Sequence, residues 1–157
     1  MTSNSCRTAP KIIVDADSCP VKDIITKVSE EVAAPVLMIA STSHEISSQA
    51  ANVQVIRVDN YPQAVDFAAA NLVTAGDIVV TGDYGLASLI LSKEATPVSP
   101  RGYIFNSQNI EILLFRRHLE ARIRRGGGRT KGPKALTAED KARFENVLRN
   151  LIMGCHQ

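Results

Sequence analysis

The chain has 157 residues, a net charge of +2, 45% apolar and 22% charged side chains, which is the make-up of one globular domain and excludes disordered and collagen-like chains. A domain of this size needs no disulfide or metal staple to fold. No apolar run approaches the ~20 residues that span a bilayer. The opening MTSNSCRTA lacks the apolar core of a signal peptide, and Cys6, Cys19 and Cys155 are too few for a disulfide framework, so a cytoplasmic setting is expected.

Lys11-Ile-Ile-Val-Asp15 reads as a buried strand. Pro20 then opens a helix whose apolar stripe is Val21, Ile24, Ile25, Val28 and Val32. Val36–Ala40 is a second strand, Ser41–Asn52 a loop or weak helix, and Val53–Val58 a third strand. Pro62 opens a helix with Val65, Ala68, Ala69 and Leu72 on one face, and Gly76 stops it. A fourth strand covers Asp77–Thr81, a short helix Tyr84–Lys93, and a short fifth strand Thr96–Ser99. A longer helix runs from Asn106 to about Arg125 with Ile112, Phe115, Leu119 and Ile123 on one side, and Gly126-Gly-Gly128 ends it. The run to Pro133 is flexible by composition. Thr137, followed by two acids, caps a last amphipathic helix carrying Phe144, Val147, Leu148 and Leu151.

Strands alternating with helices predict an α/β fold with a mainly parallel sheet. The strands are apolar throughout, so both sheet faces are covered and the architecture is a three-layer α/β/α sandwich. Residues 1–10 read as a disordered tail, 11–152 as a single domain and 153–157 as a second tail. Residues 1–110 carry seven Lys/Arg against eleven Asp/Glu, whereas residues 111–157 carry eleven against five. The basic segment 116–134 holds eight Lys/Arg and one acid, Glu120. Such asymmetry suits a polyanionic partner, although a solvated helix face and linker would look the same. With 4% aromatics and no Trp, contact with a phosphate backbone is favoured over base stacking.

In open parallel sheets, ligands bind beyond the carboxyl ends of the strands. Asp15 and Asp17 follow the first strand there, and Asp83 follows the fourth. Carboxylates gathered at one edge repel one another, and a hard cation such as Mg2+ or Mn2+ is the usual remedy. That ion suits phosphoryl chemistry. A lone Asp after a strand is commonly a turn or cap residue; two strand ends with acids, one of them doubled, are less easily set aside. Asp77 begins its strand, faces the opposite end of the sheet and reads as structural. Asp66 lies one turn into its helix, where periodicity alone does not place it.

Cys19 precedes a helix but has no histidine placed as its base, so a buried small residue is the better reading. His44 and His118 lack zinc-ligand spacing. Gly82 and Gly85 flank Asp83 without forming a phosphate loop or a dinucleotide fingerprint. Thr81 and Ser41 stand at strand ends and can donate to a phosphate, with local turn bonding the plainer use.

Val14-Asp-Ala-Asp-Ser-Cys-Pro-Val21, Gly76-Asp-Ile-Val-Val-Thr-Gly-Asp83, Pro100-Arg-Gly102, Asn109-Ile110 and Gly132-Pro-Lys134 together resemble the bacterial YaiI/YqxD family over about residues 11–152. That family is regarded as similar to PIN-like domains, metal-dependent nucleases of the α/β/α type. The resemblance implies metal ligands and catalytic groups at Asp15, Asp17 and Asp83, adds Asp66, and marks Arg101, Asn109, Arg117 and Lys134 for phosphate contact. The family pattern has an acidic or amide residue before the Asn-Ile pair, here Gln108, and commonly an Asp after the arginine matching Arg117, where this chain has His118.

The expected function is a Mg2+- or Mn2+-dependent nuclease acting on RNA in preference to DNA, with Arg124 and Arg125 among the backbone contacts. A non-catalytic metal-, nucleotide- or RNA-binding protein is the alternative. A haloacid-dehalogenase-like phosphatase fits less well, because Ser18-Cys19 follows the paired aspartates. A receiver domain lacks its lysine where Ser99-Pro100 stands. A homodimer is expected by analogy with small PIN-like domains, and no membrane partner is expected.

Overall fold

The structure, a computed structural model, describes residues 9–41, 46, 50–130 and 134–154. His44, Cys6, Cys155 and Gly132-Pro133, all singled out in the sequence, lie outside the described residues, as do the N-terminal tail before Ala9 and most of the Ser41–Asn52 stretch. Five strands, β1 (Ile12–Asp15), β2 (Val36–Ser41), β3 (Val53–Val58), β4 (Ile78–Val80) and β5 (Thr96–Val98), form one sheet in the order β3-β2-β1-β4-β5. Every neighbouring pair is parallel, with Val14 beside Met38 on one side and Val80 on the other.

Of the five helices, α1 (Lys22–Val32), α2 (Ala64–Leu72), α3 (Tyr84–Ser92) and α5 (Ala138–Ile152) cover the sheet, and α4 (Ile110–Arg125) packs on α3. Successive strand side chains point to opposite faces. Ile12 and Val14 accordingly pack with Val36, Met38, Ile78 and Val80 against Val21, Ile25 and Val28 of α1 and Phe144, Leu148 and Leu151 of α5. Ile13, Ile39 and Val79 pack on the other face against Ala69 of α2 and Leu86 and Ile90 of α3. The expected three-layer α/β/α sandwich with a parallel sheet is the observed fold. Fully burying each such Val, Leu, Ile or Phe stabilises the fold by roughly 1.5–3 kcal/mol.

Helix ends differ from the periodicity. A 3-10 turn, Ala16–Ser18, separates β1 from α1, so the helix starts at Lys22 rather than Pro20. Lys22 Nζ donates to the carbonyls of Ala16 (2.9 Å) and Cys19 (3.0 Å), which locks this turn. α5 begins as read: Thr137 accepts from the Asp140 amide, and the Asp140 carboxylate accepts from the Thr137 amide in return. α4 starts at Ile110 rather than Asn106. Its packed side is Ile110, Leu113 and Leu114, which meet Ala87, Phe105, Tyr84 and Leu91. The predicted stripe of Ile112, Phe115, Leu119 and Ile123 does share one face, but that face is open to solvent.

Asp77 anchors the far end of the sheet, as its place before β4 implied. Its carboxylate accepts from Lys11 Nζ (2.6 Å) and from the amide (2.8 Å) and hydroxyl (3.0 Å) of Thr74. β5 is an edge strand interrupted by Pro97, and the chain folds back beside it: Phe105 N donates to Pro97 O (3.0 Å), and Val98 bridges Ile104 antiparallel. No helix among the described residues is long and apolar enough to cross a membrane.

Candidate functional site

The strand order reverses between β1 and β4: β2 and β3 extend one way from β1, and β4 and β5 the other. At such a switch point the connections diverge and leave a crevice beyond the strand ends. Asp15 ends β1 on one side of it, and Thr81 and Asp83 follow β4 on the other. The Thr81 hydroxyl joins the two sides, donating to Asp15 Oδ2 (3.3 Å) and accepting from the Asp83 amide (3.0 Å). The local turn bond read from the sequence is present, and the hydroxyl's donation to Asp15, a link across strands, is an addition the sequence did not indicate.

Asp83 caps α3, its Oδ1 accepting from the Leu86 amide (3.1 Å). The N-terminal end of the helix dipole faces that carboxylate. Gly85 matters here because a Cβ at that position would come within 3.2 Å of Asp83 Oδ1 and 3.9 Å of Arg117 Nη1. Arg117, in the middle of α4, reaches Asp83 Oδ1 at 3.5 Å while its side chain stays 54% exposed. The beginning of the basic segment thus reaches the acidic crevice.

Burial holds the Asp15 carboxyl above its ordinary value, and the nearby Asp66, Asp17 and Asp83 charges push it the same way against the Thr81 hydrogen bond. Asp66, on α2, is also raised, by burial first and then by Asp83, with Arg117 opposing. Asp66 therefore belongs electrostatically to the same group. Its helix position was readable in the sequence, but its approach to the crevice depends on the strand order. Asp17 leans toward β2, where both carboxylate oxygens accept from the Ser41 amide (3.1 and 3.0 Å). The donors are carboxylate oxygens together with the Thr81 hydroxyl. Among the described residues no three His, Cys, Asp or Glu side chains are close enough together to enclose a metal ion.

Other candidates are engaged elsewhere. Arg101 pairs with Asp140 at the start of α5 (2.7 Å), and Arg143 joins the same carboxylate (3.1 Å). The Thr137 amide and these arginines hold the Asp140 carboxyl below the usual range. Asn109 faces its own loop, accepting from the Asn106 amide (2.9 Å) and donating to Ile104 O (3.1 Å). Arg124 lies seven residues, about 10.5 Å, beyond Arg117 on the same side of α4 and donates to Thr130 Oγ1 (3.1 Å). Arg125, Lys134 and His118 are exposed. Cys19 is buried, and its thiol is pushed up to about 11 by burial, so it is an inert packing residue.

Lys22 was not singled out by the sequence. A lysine in the first turn of a helix, three residues after Cys19, was the available signal, and its bonds to the 3-10 turn set the backbone that carries Asp15 and Asp17.

The profile of the uncharacterized BCR, YaiI/YqxD family matches residues 13–154. The chain belongs to the YaiI/YqxD family. Among its relatives, the UPF0178 protein of Staphylococcus saprophyticus is 43% identical over 143 residues, covering 90% of this chain and 93% of the relative. Those of Clostridium novyi and Natranaerobius thermophilus are 44% and 45% identical, covering 90% and 91% of this chain and 94% and 96% of the relatives. A crystal structure of Rae1 (YacP) from Bacillus subtilis, the W164L mutant, is similar at 18% identity with a TM-score of 0.42, over 94% of this chain and 99% of that one.

Thr81 gives the YaiI/YqxD site a direct test. Thr81→Val removes the donor to Asp15 and leaves the Asp83 amide without its acceptor, at a cost of about 1–2 kcal/mol. The Thr81 hydroxyl lowers the Asp15 pKa, so the variant's Asp15 resonance should titrate at higher pH by NMR. An unchanged Asp15 titration would show that the hydroxyl does not hold that carboxylate.

Proposed function

We propose that this protein hydrolyses phosphodiester bonds in nucleic acid, RNA in preference to DNA, with a divalent cation, Mg2+ or Mn2+, held at Asp15. The observation that carries this reading is the raised Asp15 carboxyl, sited at the strand-order reversal among three further acids and overlooked by Arg117. A group of carboxylates whose charges are mutually unfavourable is a latent cation site.

The donor chemistry fits a hard cation. Mg2+ is commonly held by one or two carboxylates with water and phosphate in its remaining positions, so three converging side chains are not required. Asp15 would be the main ligand, with Asp83, Asp66 and Asp17 acting directly or through water. Such an ion neutralises phosphate charge and lowers the pKa of a water molecule. Thr81 keeps Asp15 oriented. Arg117 is free to exchange its long contact with Asp83 for a phosphate oxygen, and Arg124 extends the same basic side along α4, where a polyanionic backbone would lie.

The open spacing of the acids also favours a second reading, in which the same site binds a metal or nucleotide, or the chain binds RNA, without turnover. One assay separates the two. Chelated protein is mixed with end-labelled single-stranded and structured RNA and DNA, with and without Mn2+ or Mg2+, using wild type, Asp15→Asn and Asp83→Asn. The nuclease reading requires metal-dependent cleavage that falls by roughly 100- to 1,000-fold in each variant, the scale seen when one transition-state charge-stabilising group is lost. Wild-type cleavage that survives unchanged in both variants removes these carboxylates from the chemistry. Metal-dependent thermal stabilisation without cleavage leaves the binding reading.

A further inference from the structure

On α4, Ile112, Phe115, Leu119 and Ile123 are 61%, 64%, 41% and 50% exposed. At 3.6 residues per turn, Phe115 and Leu119 lie on the side of the helix opposite Arg117. The helix therefore presents a basic side to the acidic crevice and an apolar stripe to solvent. Exposed apolar side chains scattered singly need no explanation, but a continuous stripe over three turns marks a surface that another surface covers.

Charges beside the stripe identify the cover. Glu111 and Arg122 lie along one flank, Arg116 and Glu120 along the other. We propose that α4 pairs antiparallel with α4 of a second copy of this chain, about a two-fold axis passing between Arg117 and His118. That axis sets Ile112 against the partner's Ile123 and Phe115 beside the partner's Leu119. It also brings Glu111 to the partner's Arg122 and Arg116 to the partner's Glu120. Each acid of the helix thereby meets an arginine, on both flanks and twice over by symmetry. Parallel pairing would instead bring one flank against the other, Glu111 toward the partner's Arg116 and Arg122 toward the partner's Glu120, so exchanging the charges at positions 116 and 120 distinguishes the two arrangements.

A two-fold contact of this kind is self-complementary and closes as a dimer. A lipid surface suits the stripe less well, because helices that lie on membranes carry basic rather than mixed flanks. The pairing leaves Arg117 and the acidic crevice free, since these occupy the other side of the helix. It stands independently of the proposed nuclease activity.

Sedimentation equilibrium of the full chain tests the pairing, with circular dichroism confirming that each variant is folded. The wild type is expected at about twice its 17.0 kDa mass. Phe115→Glu removes the central anchor and should weaken association by more than about tenfold. Glu120→Arg should also weaken it, and Arg116→Glu combined with Glu120→Arg should restore it, because the exchanged charges again meet across the axis. A monomeric wild type, a dimer indifferent to Phe115→Glu, or failure of the double exchange to restore the dimer would each overturn the proposal. A monomer that co-sediments with vesicles of anionic phospholipid through this stripe would assign it to a lipid surface instead.

Discussion

Replacing Asp15 with asparagine is expected to raise the melting temperature of the metal-free protein at neutral pH, although the same change removes the proposed cleavage. Burial and the charges of Asp66, Asp17 and Asp83 make the ionised Asp15 carboxylate unfavourable in the folded chain. Asparagine keeps an oxygen for the Thr81 hydroxyl and discards the charge. Relief of like-charge repulsion at such a partly screened site is worth about 1–2 kcal/mol, which corresponds to ~3–6 °C in a chain of this length.

The pH dependence follows from linkage. Because folding raises the Asp15 pKa, the folded state holds its proton more tightly than the unfolded state. Wild-type stability therefore falls as pH rises from the ordinary carboxylate range through the raised value. The gain from Asp15→Asn is fully present above that raised value and disappears below the ordinary carboxylate range, where Asp15 is protonated in both states. Added Mg2+ or Mn2+ should stabilise the wild type and leave Asp15→Asn unmoved. Calorimetry at several pH values checks both parts. A variant less stable than wild type at neutral pH would mean that Asp15 is structurally supportive rather than functionally strained.

Gly102→Ala is expected to be the most damaging single-methyl change. Gly102 has φ +88°, and a Cβ there would lie 2.7 Å from the Phe144 amide nitrogen and 2.8 Å from the Arg143 carbonyl carbon. These are backbone atoms of α5, so they do not turn aside as a side chain would. The left-handed backbone costs a residue with a Cβ about 1–2 kcal/mol, and forced overlap in a packed interior adds about 1–3. The sum of about 2–5 kcal/mol lowers the melting temperature by ~6–15 °C.

Gly76 isolates the two contributions. It has the same φ of +88°, but a Cβ there meets nothing within 4 Å. Gly76→Ala should therefore show the backbone cost alone. Equal losses at the two glycines would remove the close approach of α5 from the account.

The sheet was legible because strands buried on both faces form continuous apolar runs, and Asp77 could be assigned to the far end because it precedes its strand. α4 shows where that legibility stops. Periodicity grouped Ile112, Phe115, Leu119 and Ile123 on one side, but sharing a side does not say that the protein's own core covers it. The packing of α4 depends instead on Phe105 and α3.

Asp15, Thr81 and Asp83 were readable as strand-end residues, whereas the approach of Asp66 required the sheet order. Arg101 and Asn109 show a different limit. The engagement of Arg101 depends on Asp140, 39 residues away, and that of Asn109 on atoms of its own loop. Neither partner follows from residue type or helical spacing.

The β5 border of the sheet bears on how the molecule avoids unwanted growth. A bare strand margin is a template on which further chains can stack without limit. Here Pro97 lacks the amide needed to continue the ladder, its carbonyl already accepts from Phe105, and the returning segment shields Val98 through Ile104. Strand-on-strand addition is thereby blocked at this margin.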